Sequence, residues 1–360
     1  MAELSAIVVG AGFSGLAAGI QLRNAGIEDF VILEKADRVG GTWRDNTYPG
    51  AACDVPSHLY SYSFEPNPAW SRAYGGQPEI LAYLEHCATK YGLRPHLRFG
   101  ARVVRTVYED SPARWTVTLE SGEQLVGKAL ILGNGALHVP AIPQLPGLET
   151  FAGKQFHSAR WDHDYELAGK RVAVIGTGAS AIQFVPQIAK TVSHLDVFQR
   201  TPPWIVPKRD RAISGREKWA FAHVPGAHWL RRTGLYWMFE TRVLGFAFAP
   251  KINELGESLV RKHLEKVVPD AALRDKLTPS YRLGCKRVLI SNDYYPALQR
   301  PNVELVTAGI ERVTPRGVRT IDGIDREVDA IICGTGFRVT EYLSSVKIVG
   351  KDGILLDDAW

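Results

Sequence analysis

Gly10-Ala11-Gly12-Phe13-Ser14-Gly15 follows the apolar run Ala6 to Val9, opens a helical stretch from about Ser14 to Asn24, and is succeeded by a second apolar run, Phe30 to Leu33. Strand, glycine turn, helix and parallel strand make one βαβ unit. In the pattern G-x-G-x-x-G the first glycine permits a tight turn, the second lets the backbone approach a pyrophosphate, and the third allows close packing of helix on strand. The helix N-terminus offers N–H groups to the anion. Gly10, Gly12, Ser14 and Gly15 are therefore expected to hold a dinucleotide. Glu34, nineteen residues past Gly15 at the tip of the second strand, stands where an acidic side chain accepts both ribose hydroxyls.

The same order returns 166 positions later, counted from Gly10 to Gly176: strand Val172 to Ile175, the turn Gly176-Thr177-Gly178-Ala179-Ser180-Ala181, a helix from about Ala179 to Lys190, and strand Leu195 to Phe198. The fingerprint allows alanine in its third position. Gly176, Gly178, Ser180 and Ala181 form the second expected cradle. At the place equivalent to Glu34 stands Arg200, between Gln199 and Thr201. A cation and a hydroxyl in place of a carboxylate select a 2′-phosphate, hence NADP over NAD. The two units also share their exits, ALILGNG at Ala129 to Gly135 and AIICGTG at Ala330 to Gly336. The expected fold class is α/β, with two Rossmann-like dinucleotide-binding domains.

Between the copies, Arg102 to Val107 and Trp115 to Leu119 alternate apolar with polar residues, as half-buried antiparallel strands do. Prolines 140, 143 and 146 then mark an extended linker, so a boundary is expected near residue 145. The expected division is a first dinucleotide domain over 1–145, a second over 146–208 and 281–328, a helical insertion over 209–280, and a return to the first domain over 329–360. The insertion is expected to be helical because its Trp, Phe, His and Arg residues recur at helical spacings.

Composition narrows the partners only slightly. With 45% hydrophobic and 22% charged residues the chain is globular in type. Its 43 Lys+Arg against 38 Asp+Glu leave +5 without a basic block, so no nucleic acid is expected. Cys53, Cys87, Cys285 and Cys333 form no C-x-x-C pair and are expected to be reduced structural thiols, with no metal site. Met1 to Ser5 lacks the basic flank of a secretory signal, and a cytoplasmic location is the default expectation. The apolar stretch Leu235 to Phe248 is shorter than the ~20 residues of a spanning helix and contains Glu240 and Arg242, so no spanning helix is expected, and peripheral membrane contact stays open without support in the sequence.

Phe151-Ala152-Gly153-Lys154-Gln155-Phe156-His157-Ser158-Ala159-Arg160-Trp161-Asp162 matches the pattern F-x-G-x-x-x-H-x-x-x-W-[P/D]. Taken as residues alone, His157 and Trp161 are linker side chains at an interface. The pattern, however, resembles the fingerprint of the type I Baeyer–Villiger monooxygenases, and the resemblance extends over essentially the whole chain. Gly40-Gly41-Thr42-Trp43 is similar to the family's flavin-facing turn, which implies that Gly41, Thr42 and Trp43 contact FAD. Tyr48-Pro49-Gly50-Ala51-Ala52-Cys53-Asp54 resembles the family's Y-P-G-x-x-C-D segment, implying that Asp54 lies near the flavin ring and the nicotinamide, and the resemblance adds Tyr60 as a cofactor contact. Gly284-Cys285-Lys286-Arg287 resembles the G-x-K-R segment, implying Arg287 as the active-site arginine and Lys286 as a second contact to the 2′-phosphate. Val288 departs from the proline common there. Without the resemblance Asp54 and Arg287 would be two charges among eighty-one.

The activity so implied consumes NADPH and O2. NADPH reduces FAD, oxygen is trapped as a C4a-peroxyflavin, and one oxygen atom enters next to a carbonyl, turning a ketone into an ester or lactone. Arg287 would stabilise the negative charge that develops on oxygen, and Asp54 would hold the guanidinium in place. A flavin monooxygenase acting on nitrogen or sulfur is the nearest rival, disfavoured by Trp161-Asp162, since such enzymes usually carry Tyr or Phe at the motif's end. A nucleotide-binding fragment or redox sensor without turnover is the rival from another class. Family members continue past the place corresponding to Trp360, so the C-terminal part of the FAD domain is expected to be missing.

Overall fold

A computed structural model describes residues 3–359 except 242, 244, 246–249 and 342. Strands in chain order are β1 (Leu4–Val9), β2 (Phe30–Leu33), β3 (Leu97–Arg98), β4 (Val103–Glu109), β5 (Arg114–Leu119), β6 (Gln124–Leu132), β7 (Lys154–His157), β8 (Arg171–Ile175), β9 (His194–Phe198), β10 (Ile205–Val206), β11 (Leu289–Ile290), β12 (Val303–Val306), β13 (Ile310–Thr314), β14 (Gly317–Thr320), β15 (Asp325–Glu327), β16 (Ala330–Cys333) and β17 (Lys347–Val349). The helices used below are α1 (Phe13–Asn24), α2 (Thr42–Asp45), α3 (Gln77–Lys90), α4 (Ala181–Ile188), α5 (Gly215–His223), α6 (Ala227–Glu240), α7 (Pro250–Val267) and α8 (Ala271–Leu277).

The chain divides into two units, one of Met1–Asp45, Gln77–Pro140 and Phe337–Trp360, the other of Asn46–Gly76 and Ala141–Gly336. The first is built on a seven-stranded sheet of order β17-β4-β5-β6-β1-β2-β3. Its interior strand β1 pairs in parallel with β2 and β6 through Ile7, Val8 and Val9, all buried, so the run is apolar on both faces as a covered parallel strand must be. The alternating strands β4 and β5 run antiparallel, with Val103, Val117 and Leu119 turned into a core shared with Leu343, Val346 and Ile348 of the returning chain. Burying each such side chain contributes about 1.5–3 kcal/mol. The second unit centres on a parallel five-stranded sheet of order β12-β9-β8-β16-β7. Its hydrophobic core includes Val172 and Val174 of β8, Phe184 and Ile188 of α4, and Ile332 of β16.

The two units differ from the expected division at three places. The linker boundary falls at 140/141 and not near 145. Residues 46–76, expected in the first domain, belong to the second unit, because Tyr48 Oη donates to Gln183 of α4 at 3.0 Å and Gln183 Nε2 donates to the Ala52 carbonyl at 2.9 Å. The return to the first unit begins at Phe337 and not at 329, since β16 is locked between β8 and β7 with Cys333 opposite Ile175 and His157. Within the second unit, residues 209–280 carry α5 to α8. All four cysteines are free, three of them buried. Among the described residues no helix is long and apolar enough to cross a membrane; five of the residues in the stretch Leu235 to Phe248 lie outside the described ones.

Candidate functional site: two glycine cradles and an arginine–aspartate pair

In the first unit Gly10 ends β1 with φ +98°, and a Cβ there would meet the Gly133 carbonyl oxygen at 2.7 Å, so only glycine fits. A Cβ on Gly15 would lie 1.7 Å from the Gly10 oxygen. Gly12, the N-cap of α1, is different: its Cβ would meet only Gly41 within 4 Å, nearest at 3.6 Å, and no side chain caps the helix. The outward side of the turn is open and its helix end uncapped by the protein, which is the shape a diphosphate fills. Ser14 and Gly15 form the first turn of α1. The Gly40 N–H donates to the Ala11 carbonyl at 2.9 Å, setting Gly41, Thr42 and Trp43 against the same cradle, and Gln77 Nε2 donates to the Trp43 carbonyl.

Glu34 follows β2 and is buried. Its carboxylate accepts from the backbone N–H of Ala11 at 2.9 Å and of Ala36 at 3.0 Å, and pairs with Arg44 at 3.1 Å. A carboxylate has about four acceptor sites, so these bonds orient it without exhausting it. Arg44, itself buried and also bonded to Asp45 at 2.8 Å, escaped the sequence reading. Its one local signal is a charge directly after Gly40-Gly41-Thr42-Trp43.

The second unit repeats the construction. Gly176 has φ +104° and its Cβ would meet the Gly334 oxygen at 2.6 Å, whereas a Cβ on Gly178 would meet only that oxygen, at 3.7 Å. Ser180 is the N-cap of α4 and makes no capping bond, and Ala181 begins the helix. Gln199 is buried and donates to the Lys276 carbonyl at 2.7 Å, while Arg200 is exposed and Thr201 half-buried at the tip of β9. Each cradle thus fits a dinucleotide. Lys286 is exposed, its ammonium 4.8 Å from the centre of the Tyr281 ring.

Asp54 and Arg287, 233 residues apart, meet in the second unit with Nη2 and Oδ2 at 2.5 Å. The arginine side chain is 60% exposed and the aspartate 22%, so the pair contributes little to stability and its value is positional. Asp54 is held by its neighbourhood: the Cys53 N–H donates to the Gly75 carbonyl at 2.9 Å, and Gly50, φ +80°, sits where a Cβ would meet the Gln183 oxygen at 2.9 Å. Burial pushes the Cys53 thiol up to about 12, so it stays protonated beside the aspartate. Gln183, which clamps this segment to α4, carried no signal in the sequence. Tyr60 lies in the turn that follows Pro56, in the second unit.

The motif of Phe151 to Asp162 is structural in its local contacts. The His157 ring is buried at the end of β7 and its Nδ1 accepts from the Ala159 N–H at 3.1 Å; burial lowers its pKa. Trp161 packs on Phe156 and Phe184, each with ring centres 5.2 Å apart, and Asp162 pairs with Lys154. A Cβ on Gly153 would meet the Asp329 oxygen at 2.5 Å, which accounts for the glycine of the motif.

Two dinucleotide cradles, each at the end of a strand with parallel neighbours, define a flavoprotein-type oxidoreductase, and residues 7–216 match the family model described as pyridine nucleotide-disulphide oxidoreductase. The chain is 51% identical over 355 residues to a Baeyer–Villiger monooxygenase of Streptomyces coelicolor and 50% identical over 353 residues to one of Pseudomonas aeruginosa, covering 98% of this chain in both cases and 68% and 67% of those proteins. A closed crystal structure of cyclohexanone monooxygenase superimposes with a TM-score of 0.89 at 33% identity, covering 99% of this chain and 75% of that one. An oxidized steroid monooxygenase bound to NADP gives 0.87 at 34% identity, covering 100% of this chain and 76% of that one. The chain belongs to the Baeyer–Villiger monooxygenase family.

Proposed function

We propose that the chain is an FAD- and NADPH-dependent monooxygenase that inserts one atom of O2 next to a carbonyl, turning a ketone into an ester or lactone. FAD binds on Gly10, Gly12, Ser14, Gly15 and Glu34 with the turn Gly41 to Trp43, and NADPH on Gly176, Gly178, Ser180 and Ala181 with Arg200, Thr201 and Lys286 at its 2′-phosphate. Bound flavin, reduced by NADPH, supplies the activation of oxygen. The chain's own contribution is charge and placement. In carbonyl insertion the substrate's carbonyl oxygen acquires negative charge, and a fixed guanidinium stabilises it at any ordinary pH. Arg287 is that group in this reading, and the hydrogen bond to Asp54 fixes the direction in which it points.

The observation that carries the proposal is the Asp54–Arg287 pair, formed across 233 residues from the two segments that match family motifs. Oxidation of soft nitrogen or sulfur develops no such anion and needs no such pair. Product analysis with a panel of ketones and thioethers tests the reading: esters or lactones with NADPH consumption are expected. Sulfoxides without any ester would overturn it. An Arg287→Ala chain should lose product formation by about 10²–10³-fold while still oxidising NADPH, whereas a sensor without turnover would show no change in nucleotide binding and no product in either form.

A further inference from the structure

Helix α6 is built inside out. Its inward face, at the spacing 228, 232, 235, 239, carries His228, Arg232, Leu235 and Phe239. Two of these four are polar and are satisfied within the second unit: His228 faces His58 at 3.3 Å, and Arg232 donates to the carbonyls of His58, Leu59 and Ser61 at 3.1–3.2 Å. The outward face is apolar, with Trp229 67% exposed, Leu230 67%, Trp237 62% and Met238 42%. A surface helix ordinarily shows the reverse arrangement. Trp229 and Trp237, eight residues apart, stand on one side of the helix about 12 Å from each other along its axis. On α5, Trp219 is 61% exposed.

The same two helices, over residues 215–240, carry 4 Lys+Arg against 2 Asp+Glu. Arg231 is exposed on the flank of α6, and Arg216 is exposed and Lys218 half-buried on α5. The one acidic side chain of α6 is Glu240, at its end.

From these observations we infer that α5 and α6 form a docking surface for an anionic phospholipid membrane, on which the protein lies without spanning it. Tryptophan favours the headgroup boundary because its ring is apolar and its N–H polar, and basic residues beside it add attraction to an anionic leaflet. A second copy of the chain fits this face less well, since a symmetric contact would set its basic residues against themselves. The lack of a spanning helix is silent about helices that lie in the interface. The inference does not depend on the flavin chemistry.

Sedimentation of the whole chain with vesicles of phosphatidylglycerol and phosphatidylcholine, against vesicles of phosphatidylcholine alone, tests it. Binding to the anionic vesicles is expected, together with quenching of tryptophan fluorescence by lipids brominated in the acyl chain. The triple variant Trp219→Ser, Trp229→Ser, Trp237→Ser should lower the partition constant by at least about tenfold, and Arg231→Gln by about fivefold, with unchanged thermal unfolding. If the triple variant does not fold, Arg231→Gln and the lipid quenching of the unaltered chain decide. No binding at excess anionic lipid, equal binding to neutral vesicles, or full retention of binding by folded variants would overturn the inference. So would a concentration-dependent dimer that Trp229→Ser abolishes in a chain that ignores vesicles, because the face would then belong to a second copy.

Discussion

The two glycine cradles share a plan and differ at two points. In both, a glycine at φ near +100° touches the carbonyl of a second glycine at the exit of a neighbouring strand, Gly10 against Gly133 and Gly176 against Gly334. The third position is where packing diverges: Gly15 leaves no room for a methyl group, but Ala181 carries one, its Cβ only 3.1 Å from where a Cβ on Gly334 would stand. The tips diverge as well. Glu34 is sunk into a network of two backbone amides and a buried arginine, whereas Arg200 stands in solvent at the tip of β9. One tip is built into the fold and the other is not. In the proposed reading the carboxylate serves the ribose and the scaffold together, while the exposed cation serves the 2′-phosphate alone.

The comparison is easiest to break at Gly15. Gly15→Ala forces a backbone clash and should cost more than about 3 kcal/mol, seen as loss of soluble protein or of flavin absorbance; Ala181→Gly should cost about 1 kcal/mol or less by urea unfolding. Equal effects would mean that the two helices sit alike on their strands. Next in size, Glu34→Gln removes one partner of buried Arg44 and should destabilise the first unit by about 2–4 kcal/mol. A loss confined to cofactor affinity, with an unchanged unfolding midpoint, would show that Glu34 has no scaffold role.

The segment 46–76, which leaves the first unit's chain to join the second, sharpens the comparison through pH. Burial lowers His58 to about 4, with His228 beside it also lowered by burial. Arg211, Arg231 and Arg232 face the pair and disfavour its charge, and Glu217 opposes them. The folded state therefore resists a proton that the unfolded chain accepts near 6.5. Stability is full above that value and is lost as pH falls from about 6.5 to 4, by up to about 3 kcal/mol. Thermal unfolding midpoints across that range should fall more for the natural chain than for His58→Gln. The smallest effect is at the second tip. Arg200→Gln should raise KM for NADPH by about tenfold and leave NADH unchanged, whereas equal changes for both would place the 2′-phosphate elsewhere.

Much of the fold was legible because its signals are local. An apolar run of four residues, a glycine pattern and a helix follow one another within about thirty positions, so β1, α1 and β2, and again β8, α4 and β9, emerge within one or two residues of their expected ends. The exits ALILGNG and AIICGTG were equally readable, since each ends a strand against its own first glycine. The boundary at 329 was misplaced for the opposite reason. Which sheet takes β16 depends on pairing with β7 and β8, partners over 150 residues away, and the strand's own residues suit either sheet.

By itself, the sequence determined that there are two cradles, where each begins, and which tip is acidic and which basic, because a turn and its strand impose their requirements on adjacent residues. Only the tertiary structure decided that Arg44 underpins Glu34, that Gln183 carries the segment of Asp54 into the second unit, that Arg287 meets Asp54, and that α6 turns its tryptophans outward. Each of these joins residues far apart in the chain or asks which side of a helix is covered. A periodicity of 3.6 residues marks a helix but not the direction in which its apolar face looks.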